Sequence, residues 1–388
     1  MYDTTLDESR YRPQGQAEDG RQTPQISKIV ITGGPCAGKS TAMSWIQNAF
    51  TTKGYTVLFV PETATEFISG GVAPWTCGTN VDYQLCQMAL QLKKEELFEQ
   101  AARSMRVEKV LIVCDRAALD NRAYMTDGEF SFVLRTLRLN EVELRDSYDA
   151  VFHLITAAKG AAEFYTTDNN IARIETVEQA IEMDDRLLAS WTGHPHLRVI
   201  NNETDFENKM KRLIAEITSF LGEPEPFEIE RKFLIKYPDV AWLERLPNCQ
   251  RVEITQTYLK SEAGVELRVR QRGTDGHYVY YQTIKRVVSD IKRVEVERRL
   301  SQEEYLALLM EADTTRRQVR KTRYCLTYLN QCFEIDLYPF WHDKAIAEIE
   351  LSDEDAKVTF PKELEIIEEV TGNEAYKNAA LAQLWERS

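Results

Sequence analysis

Cysteine is scarce in this chain: seven residues in 388, an odd number with no C-x-x-C pair. That argues against both a disulfide framework and a zinc ribbon, and leaves the cysteines to be read as small core residues. Histidine is rarer still, at five. No apolar run approaches the ~20 residues that a membrane-spanning helix requires. Residues 1–25 are polar and lack an apolar h-region, so the segment reads as a mobile tail rather than a signal peptide, with a cytoplasmic, reducing setting expected. Basic charge is also in deficit. The formal net charge is −14, the wrong balance for a general nucleic-acid binder, so no nucleic-acid partner is expected. A local basic pocket for a polyanion is still compatible with that balance.

What is present divides in two. Hydrophobic residues make up 43% and charged residues 28%, as in globular domains with real cores. From residue 26 to 222, short apolar segments alternate with longer helical ones. Strands are expected at 28–32, 56–60, 110–114, 150–154 and 197–200, with an amphipathic helix over 82–103. This alternation predicts an α/β domain with a mainly parallel sheet and helices on both faces. Gly222-Glu223-Pro224-Glu225-Pro226 then breaks the last helix and acts as a stiff linker. From 227 to 388 the period switches to two, with strands expected at 227–235, 253–259, 265–271, 278–285, 292–299, 319–329, 332–338 and 345–351. Asp275-Gly276 is a hairpin signal. Ser301 and Glu304 have capping-box spacing for a helix running to about residue 312, and another helix is expected near 374–385. The second half is therefore read as an antiparallel α+β domain.

The most specific motif is Gly33-Gly34-Pro35-Cys36-Ala37-Gly38-Lys39-Ser40-Thr41, directly after the strand Ile29-Val30-Ile31-Thr32. It is the G-x-x-x-x-G-K-[ST] phosphate loop in its strand–loop–helix setting. Gly33, Gly34 and Gly38 let backbone N–H groups close around a phosphate, and the helix that follows presents its positive end to the same anion. Lys39 reaches the β- and γ-phosphates, Ser40 is a Mg²⁺ ligand, and Thr41 continues the loop into the helix. Val110–Cys114 ends in Asp115, the place of a Walker-B metal aspartate. ATP or GTP with Mg²⁺ or Mn²⁺ is the expected cofactor set.

Asp115-Arg116, Asp120 and Tyr124 resemble the D-R-x-x-x-D-x-x-x-Y stretch of small-molecule P-loop kinases. More closely, residues 28–220 resemble the NadR-type P-loop domain, in versions fused to a second domain in proteins implicated in trafficking and GTP binding. The GGPCAGKST loop, Pro61-Glu62, Asp115-Arg116, the run Glu163–Arg173 and the segment from His194 to Asn202 carry the resemblance. It implies that Glu62 faces the acceptor or γ-phosphate, and that Arg173, with Arg186 a weaker candidate, neutralises transferring charge from a lid. His194 and His196 are read as structural.

In the second half, charges of one sign recur at every second position. Glu228, Glu230 and Lys232 share a strand face, as do Arg268, Arg270 and Arg272; Glu295 and Glu297; Glu334 and Asp336; and Glu348 and Glu350. Lys285 ends a strand, and Arg316, Arg317, Arg320, Lys321 and Arg323 form a basic group. Such faces are either solvated surface or a shared interior. Segregation by sign favours the interior, because like charges on one face repel unless a counter-ligand joins them. Carboxylates gather a divalent cation and guanidinium groups grip phosphate, so a polyphosphate–metal complex satisfies both sets.

With its E-x-E-x-K start at Glu228-Ile229-Glu230-Arg231-Lys232, residues 227–388 resemble the CYTH domain of the triphosphate tunnel metalloenzymes. The resemblance implies an eight-stranded β-barrel tunnel. Glu228, Glu230, Glu348 and Glu350 would hold metal, and Lys232, Arg268, Arg270, Lys285, Arg320 and Arg323 would bind triphosphate. Glu295, Glu297, Glu334 and Asp336 either ligate metal or orient the bases. The catalytic set is then Glu228, Glu230 and Lys232 in the tunnel, and Asp115 with Arg173 in the P-loop half. Two functions follow: a metal-dependent triphosphatase or phosphotransferase, or a nucleotide-dependent regulator whose tunnel binds a phosphorylated ligand such as a phosphoinositide head group.

Overall fold

The computed structural model describes residues 24–160, 176–222, 229–262, 265–287, 293–351 and 356–382. Glu228 and the whole Glu163–Arg173 run fall outside these ranges, as does the Glu295 side chain.

The first half is a five-stranded parallel sheet of order β2-β3-β1-β4-β5. Its strands are β1 (Gln25–Thr32), β2 (Tyr55–Val60), β3 (Lys109–Asp115), β4 (Ala150–Leu154) and β5 (Leu197–Ile200). The helices are α1 (Lys39–Thr51), α2 (Thr63–Ser69), α3 (Asn80–Ser104), α4 (Asp127–Leu137), α5 (Glu141–Arg145), α6 (Val177–Trp191) and α7 (Phe206–Phe220). Continuous apolar runs such as Val110-Leu111-Ile112-Val113 suit strands covered on both faces. Val110 and Ile112 pack in one core with α3, α4 and α6. Leu111 and Val113 pack in the other with α1 and α7. β1 lies between β3 and β4, so the loop after it opens at the carboxyl edge of the sheet's centre, where ligands of such sheets bind.

The second half is a nine-stranded antiparallel sheet, β10-β9-β8-β7-β11-β12-β13-β6-β14. The strands are β6 (Ile229–Lys236), β7 (Cys249–Tyr258), β8 (Val265–Thr274), β9 (His277–Val287), β10 (Arg293–Leu300), β11 (Val319–Tyr328), β12 (Gln331–Leu337), β13 (Lys344–Leu351) and β14 (Ile366–Glu369). Eight correspond to the expected strands, and the four-residue β14 adds a ninth at the edge of β6. Short helices α8 (Val240–Arg245) and α9 (Gln302–Leu309), and the terminal turn α10 (Asn378–Leu381), complete the half. Asp275 and Gly276, both at positive φ, connect β8 to β9 with Thr274 paired to His277, the geometry of a two-residue primed turn.

The alternation is inverted relative to an ordinary half-exposed sheet. Phe233 and Ile235 of β6, Phe333 and Ile335 of β12, and Ala347 and Ile349 of β13 pack outward against Leu243 of α8 and Leu364. The residues between them, Lys232, Glu334 and Glu348, turn to the lumen. On the far wall Leu267 and Val269 of β8 pack with Leu300 and Tyr305 of the α9 region, leaving Arg268 and Arg270 inside. The apolar set thus occupies the outer face, covered by short helices and loops, and the charged set the inner one. This resolves the choice between solvated face and shared interior in favour of the interior.

Candidate functional sites: a phosphate loop and a charged tunnel

Residues 33–38 form the loop between β1 and α1. Gly33 has φ 138°, and a Cβ there would fall 2.0 Å from the Leu154 carbonyl oxygen, so only glycine fits. The loop is gripped from behind by two buried side chains. Asp184 of α6 accepts from the Gly34 N–H at 2.8 Å, from the Thr156 N–H at 3.2 Å and from the Lys159 ammonium at 2.9 Å, and lies 3.1 Å from His153. Against burial, His153 and Lys159 hold its carboxyl well below the usual range. Lys209 of α7 donates to the carbonyls of Ala37 at 3.1 Å and Ile155 at 2.6 Å.

Lys39 folds back onto the loop, donating to the carbonyls of Gly33 at 3.0 Å and Gly34 at 3.2 Å. Burial, then the neighbouring Arg116 guanidinium, lower its ammonium to about 8. Ser40 and Thr41 open α1 and are exposed. Asp115 ends β3 with its Oδ1 buried and without a hydrogen-bond partner. Burial raises its carboxyl above the usual range. An orphaned carboxylate oxygen beside a P-loop lysine is a group prepared for a cation, and it fits the Mg²⁺ or Mn²⁺ expected there. Arg116 donates from Nε to Glu62 at 2.7 Å. Glu62 therefore reaches the same pocket, although its charge is engaged. Asp120 proves to be a scaffold residue, accepting from the Ala117 N–H at 2.7 Å and the Trp191 indole at 3.1 Å. Arg186 donates to the Met125 carbonyl at 3.4 Å.

The second half encloses a cavity of about 340 Å³. Glu230, Lys232, Arg268, Arg270, Lys285, Arg323, Glu348 and Glu350 all line it. The acids lie on the neighbouring strands β12, β13 and β6, where Glu334 pairs in register with Glu348, and Glu350 with Glu230. The bases come mainly from β8 and β11. Lys232 and Glu348 form an ion pair at 2.6 Å, and Arg323 reaches Glu348 at 3.0 Å. Burial, then the Glu348 charge, push Glu230 upward, while Lys321, Arg323 and Lys232 hold Glu348 down against burial. Two carboxyls a strand apart thus have opposite protonation tendencies. Arg270 donates from Nη2 to both carboxylate oxygens of Glu297, at 2.8 and 2.9 Å, and its Nε is buried without a partner.

Arg320 does not share this lumen. It lies three residues from Arg323, hence on the opposite strand face, exposed, with Nε 3.2 Å from the Gln318 side chain. Lys321 takes the place expected for it. Asp336 orients bases rather than facing the cavity. It is fully buried and accepts from Lys321 and from Arg323 Nε and Nη2, the latter two at 2.7 Å each. Arg272 is also in the cavity wall, where it is held by the first half, donating to the Gly193 carbonyl at 2.8 Å. His194 is buried and donates from Nε2 to the Tyr148 carbonyl at 2.9 Å, a structural role, whereas His196 lines the tunnel 3.9 Å from Glu297. Among the described residues no three His, Cys, Asp or Glu side chains converge as a ready metal cluster. The tunnel acids instead hold the tunnel bases. Glu230, Glu348 and Glu350 offer only oxygen donors, the type a hard divalent cation takes, without being gathered around one point.

In the sequence, Lys321 is grouped with the bases without being placed in the tunnel, His196 is read as structural, and Lys209 and Asp184 are not singled out. Parity alone would have found Lys321, which is two residues from Arg323. The other three act on segments distant in the chain.

The family model for the AAA domain matches residues 28–209, and that for the CYTH domain matches residues 226–381. An inorganic triphosphatase of Nitrosomonas europaea is 35% identical over 159 residues, 40% of this chain and 96% of that protein. A solved structure of an inorganic triphosphatase is 32% identical, covering 40% of this chain and 95% of the other, with a TM-score of 0.29. A Pyrococcus horikoshii protein of solved structure is 20% identical over 33% of this chain and 82% of its own, with a TM-score of 0.25.

Proposed function

Since the chain belongs to the CYTH domain family through residues 226–381, behind an AAA-type domain at 28–209, we propose that it is a metal-dependent triphosphatase or phosphotransferase whose tunnel takes inorganic or organic triphosphate. The observation that carries this is the inverted alternation: acids of β6, β12 and β13 and bases of β8 and β11 line one lumen. Glu230, Glu348 and Glu350, with Glu228, would hold Mg²⁺ or Mn²⁺, which when bound polarises a phosphoryl oxygen and activates water. Lys232, Lys321, Arg268, Arg270 and Arg323 take up charge on the phosphoryl oxygens as it builds. Lys285 extends that wall. A triphosphate entering the lumen replaces internal ion pairs with its own, and the released carboxylates become available to metal. The charges are arranged before ligand arrives, which lowers the reorganisation needed for phosphoryl transfer.

The P-loop half is read as an ATP or GTP site built on Gly33, Gly34, Gly38, Lys39, Ser40 and Thr41, with Asp115 on the metal side. Arg173 is kept as a proposed lid group. The rival reading, a nucleotide-dependent regulator whose tunnel recognises a phosphoinositide or similar phosphorylated ligand, is favoured by one feature: the tunnel acid Glu348 is ion-paired to both Lys232 and Arg323.

Phosphate release from tripolyphosphate, ATP and GTP with Mg²⁺ or Mn²⁺ separates the two. Wild type and Lys39→Ala should cleave tripolyphosphate, and Glu230→Gln/Glu348→Gln should not. Only Lys39→Ala should lose nucleotide binding. A wild type that binds nucleotide and phosphorylated ligands yet cleaves nothing would transfer the case to the regulator.

A further inference from the structure

Strand β5 is the edge of the parallel sheet and is laddered to β4. Its alternate residues part company. Leu197 and Val199 turn into the core that holds Val110 and Ile112. Arg198, and His196 just before the strand, take the other face, on which helix α7 lies. Arg198 Nε stands 3.7 Å from Glu216 of α7, and the His196 ring meets that of Phe220 with centroids 5.4 Å apart. The same two side chains line the charged lumen of the other half. They also keep its rhythm, a basic side chain at every second position.

Each meets a tunnel acid. Arg198 forms an ion pair with Glu350 of β13, and among the described residues no other cation pairs with that carboxylate. His196 Nε2 is 3.9 Å from Glu297 of β10. Glu297 is the carboxylate that takes both Arg270 hydrogen bonds and one from the Thr283 hydroxyl at 3.0 Å. In the order of the sheet, β9, β8, β7, β11 and β12 all lie between β10 and β13. Two residues beside one another on the β5 face thus reach both flanks of the curled sheet.

Glu350 stands in register with Glu230, and like charges opposite one another on neighbouring strands repel. Glu230 has Lys232 at 3.6 Å; Glu350 has Arg198. Glu216 draws on the same guanidinium. Burial raises its carboxyl above the usual range, the Arg198 charge opposes that, and the Glu350 charge adds to it. Without Arg198 the Glu350 carboxylate would face a polyanion uncancelled, in surroundings where a charge acts more strongly than in bulk water.

We infer that the anion site of the tunnel is composite: the edge of the nucleotide-binding half supplies Arg198, which cancels the charge of Glu350, and His196, which steadies Glu297 under Arg270, and the binding of a condensed phosphate in the lumen depends on both. Arg198 and His196 are positioning residues, acting through the acids they meet. The ligand class rests on the triphosphate reading of the lumen.

The test measures tripolyphosphate binding by calorimetry in EDTA, where no metal competes for the acids. It uses the full chain carrying Lys39→Ala, so that the P-loop does not contribute, with urea unfolding to show that each variant is folded. Arg198→Gln should bind about tenfold or more weakly than this parent, roughly 1.4 kcal/mol or above. Adding Glu350→Gln to it should bring binding back to within about threefold of the parent, because the two side chains cancel one another. The same double variant decides the matter if Arg198→Gln alone does not fold. His196→Gln should weaken binding about threefold, and an unchanged affinity overturns its part. Val142→Ala loosens the contact of α5 with Val279 and Tyr281 without changing any charge, and should stay within about twofold of the parent. The inference falls if Arg198→Gln binds like the parent, if the double variant binds as weakly as the single one, or if Val142→Ala loses as much as Arg198→Gln. A parent that binds no tripolyphosphate sinks the triphosphate reading itself, and the composite site with it.

Discussion

Asp336→Asn isolates the electrostatics of the tunnel in one residue. The Asp336 carboxylate has no exposed surface and accepts three charged hydrogen bonds, one from Lys321 and two from the Arg323 fork at 2.7 Å. Its partners are themselves only 6% and 7% exposed. Removing the charge leaves two buried cations with Glu334 and Glu348 as their remaining counter-charges. Breaking a buried pair in this way costs about 3–5 kcal/mol. The amide oxygen that remains keeps the expected cost near the lower figure, about 3 kcal/mol. For a domain of this size that is a fall in Tm of about 6–12 °C. The assay is urea unfolding followed by intrinsic fluorescence, without ligand and then with tripolyphosphate and Mn²⁺. Ligand at a hundredfold excess over Kd stabilises by about 2.7 kcal/mol. It should stabilise the variant more than wild type, because it supplies the anion that Lys321 and Arg323 have lost. A loss below about 1 kcal/mol would refute the buried-pair reasoning. Equal ligand stabilisation of variant and wild type would refute the placement of these cations toward the ligand.

Three further outcomes follow from the same contacts. Asp184→Asn, which weakens the grip on Gly34, Thr156 and Lys159, should cost about 2–4 kcal/mol and weaken ATP and GTP binding while leaving tripolyphosphate cleavage intact, read by calorimetry and phosphate release. Burial lowers the His194 imidazole from 6.5 to about 3, so the unfolded chain takes up a proton first as pH falls. The His194 contribution to stability should then fall by about 1.4 kcal/mol per pH unit from 6.5 down to about 3, opposed by Glu230, whose folded carboxyl is raised, and His194→Gln should remove that contribution in urea titrations run at stepped pH. Gly193 sits at φ 97°, where a Cβ would lie 2.7 Å from the Gln250 side chain. Gly193→Ala should cost about 1–2 kcal/mol for the left-handed backbone alone and loosen the packing of residues 192–194 on β7, read by urea unfolding.

The parallel sheet was legible because its signals are local. Five apolar strands, their order of appearance and the GGPCAGKST loop each announce themselves within about ten residues, and all five strands form as expected. The tunnel was legible for a different reason: a charge at every second position states which face it occupies, and the structure sets those faces inward. Where period-two logic was set aside it failed. Arg320 and Arg323 are an odd number of residues apart and cannot share a face, and Lys321 is the residue that joins Arg323. Helix α8 and strand β14 are six and four residues long, too short for a periodic signal.

The remaining misses share one physical cause. An aspartate and a lysine on amphipathic helices, Asp184 and Lys209, are indistinguishable by pattern from solvated charge. They become buried supports only because the sheet brings β1 and its loop to them across a long sequence separation. The same holds for His196 and Arg198, which precede or belong to a strand of one domain and meet acids of the other, Glu297 and Glu350. Such contacts tie α6 to both sites: one turn of the helix supports the phosphate loop and its end forms the tunnel wall. A displacement of Gly34 on nucleotide binding is expected to reach, through Asp184, a helix whose far end abuts the charged lumen. Coupling between the two sites, in either direction and of equal size, can be measured as the change in tripolyphosphate affinity when nucleotide fills the P-loop.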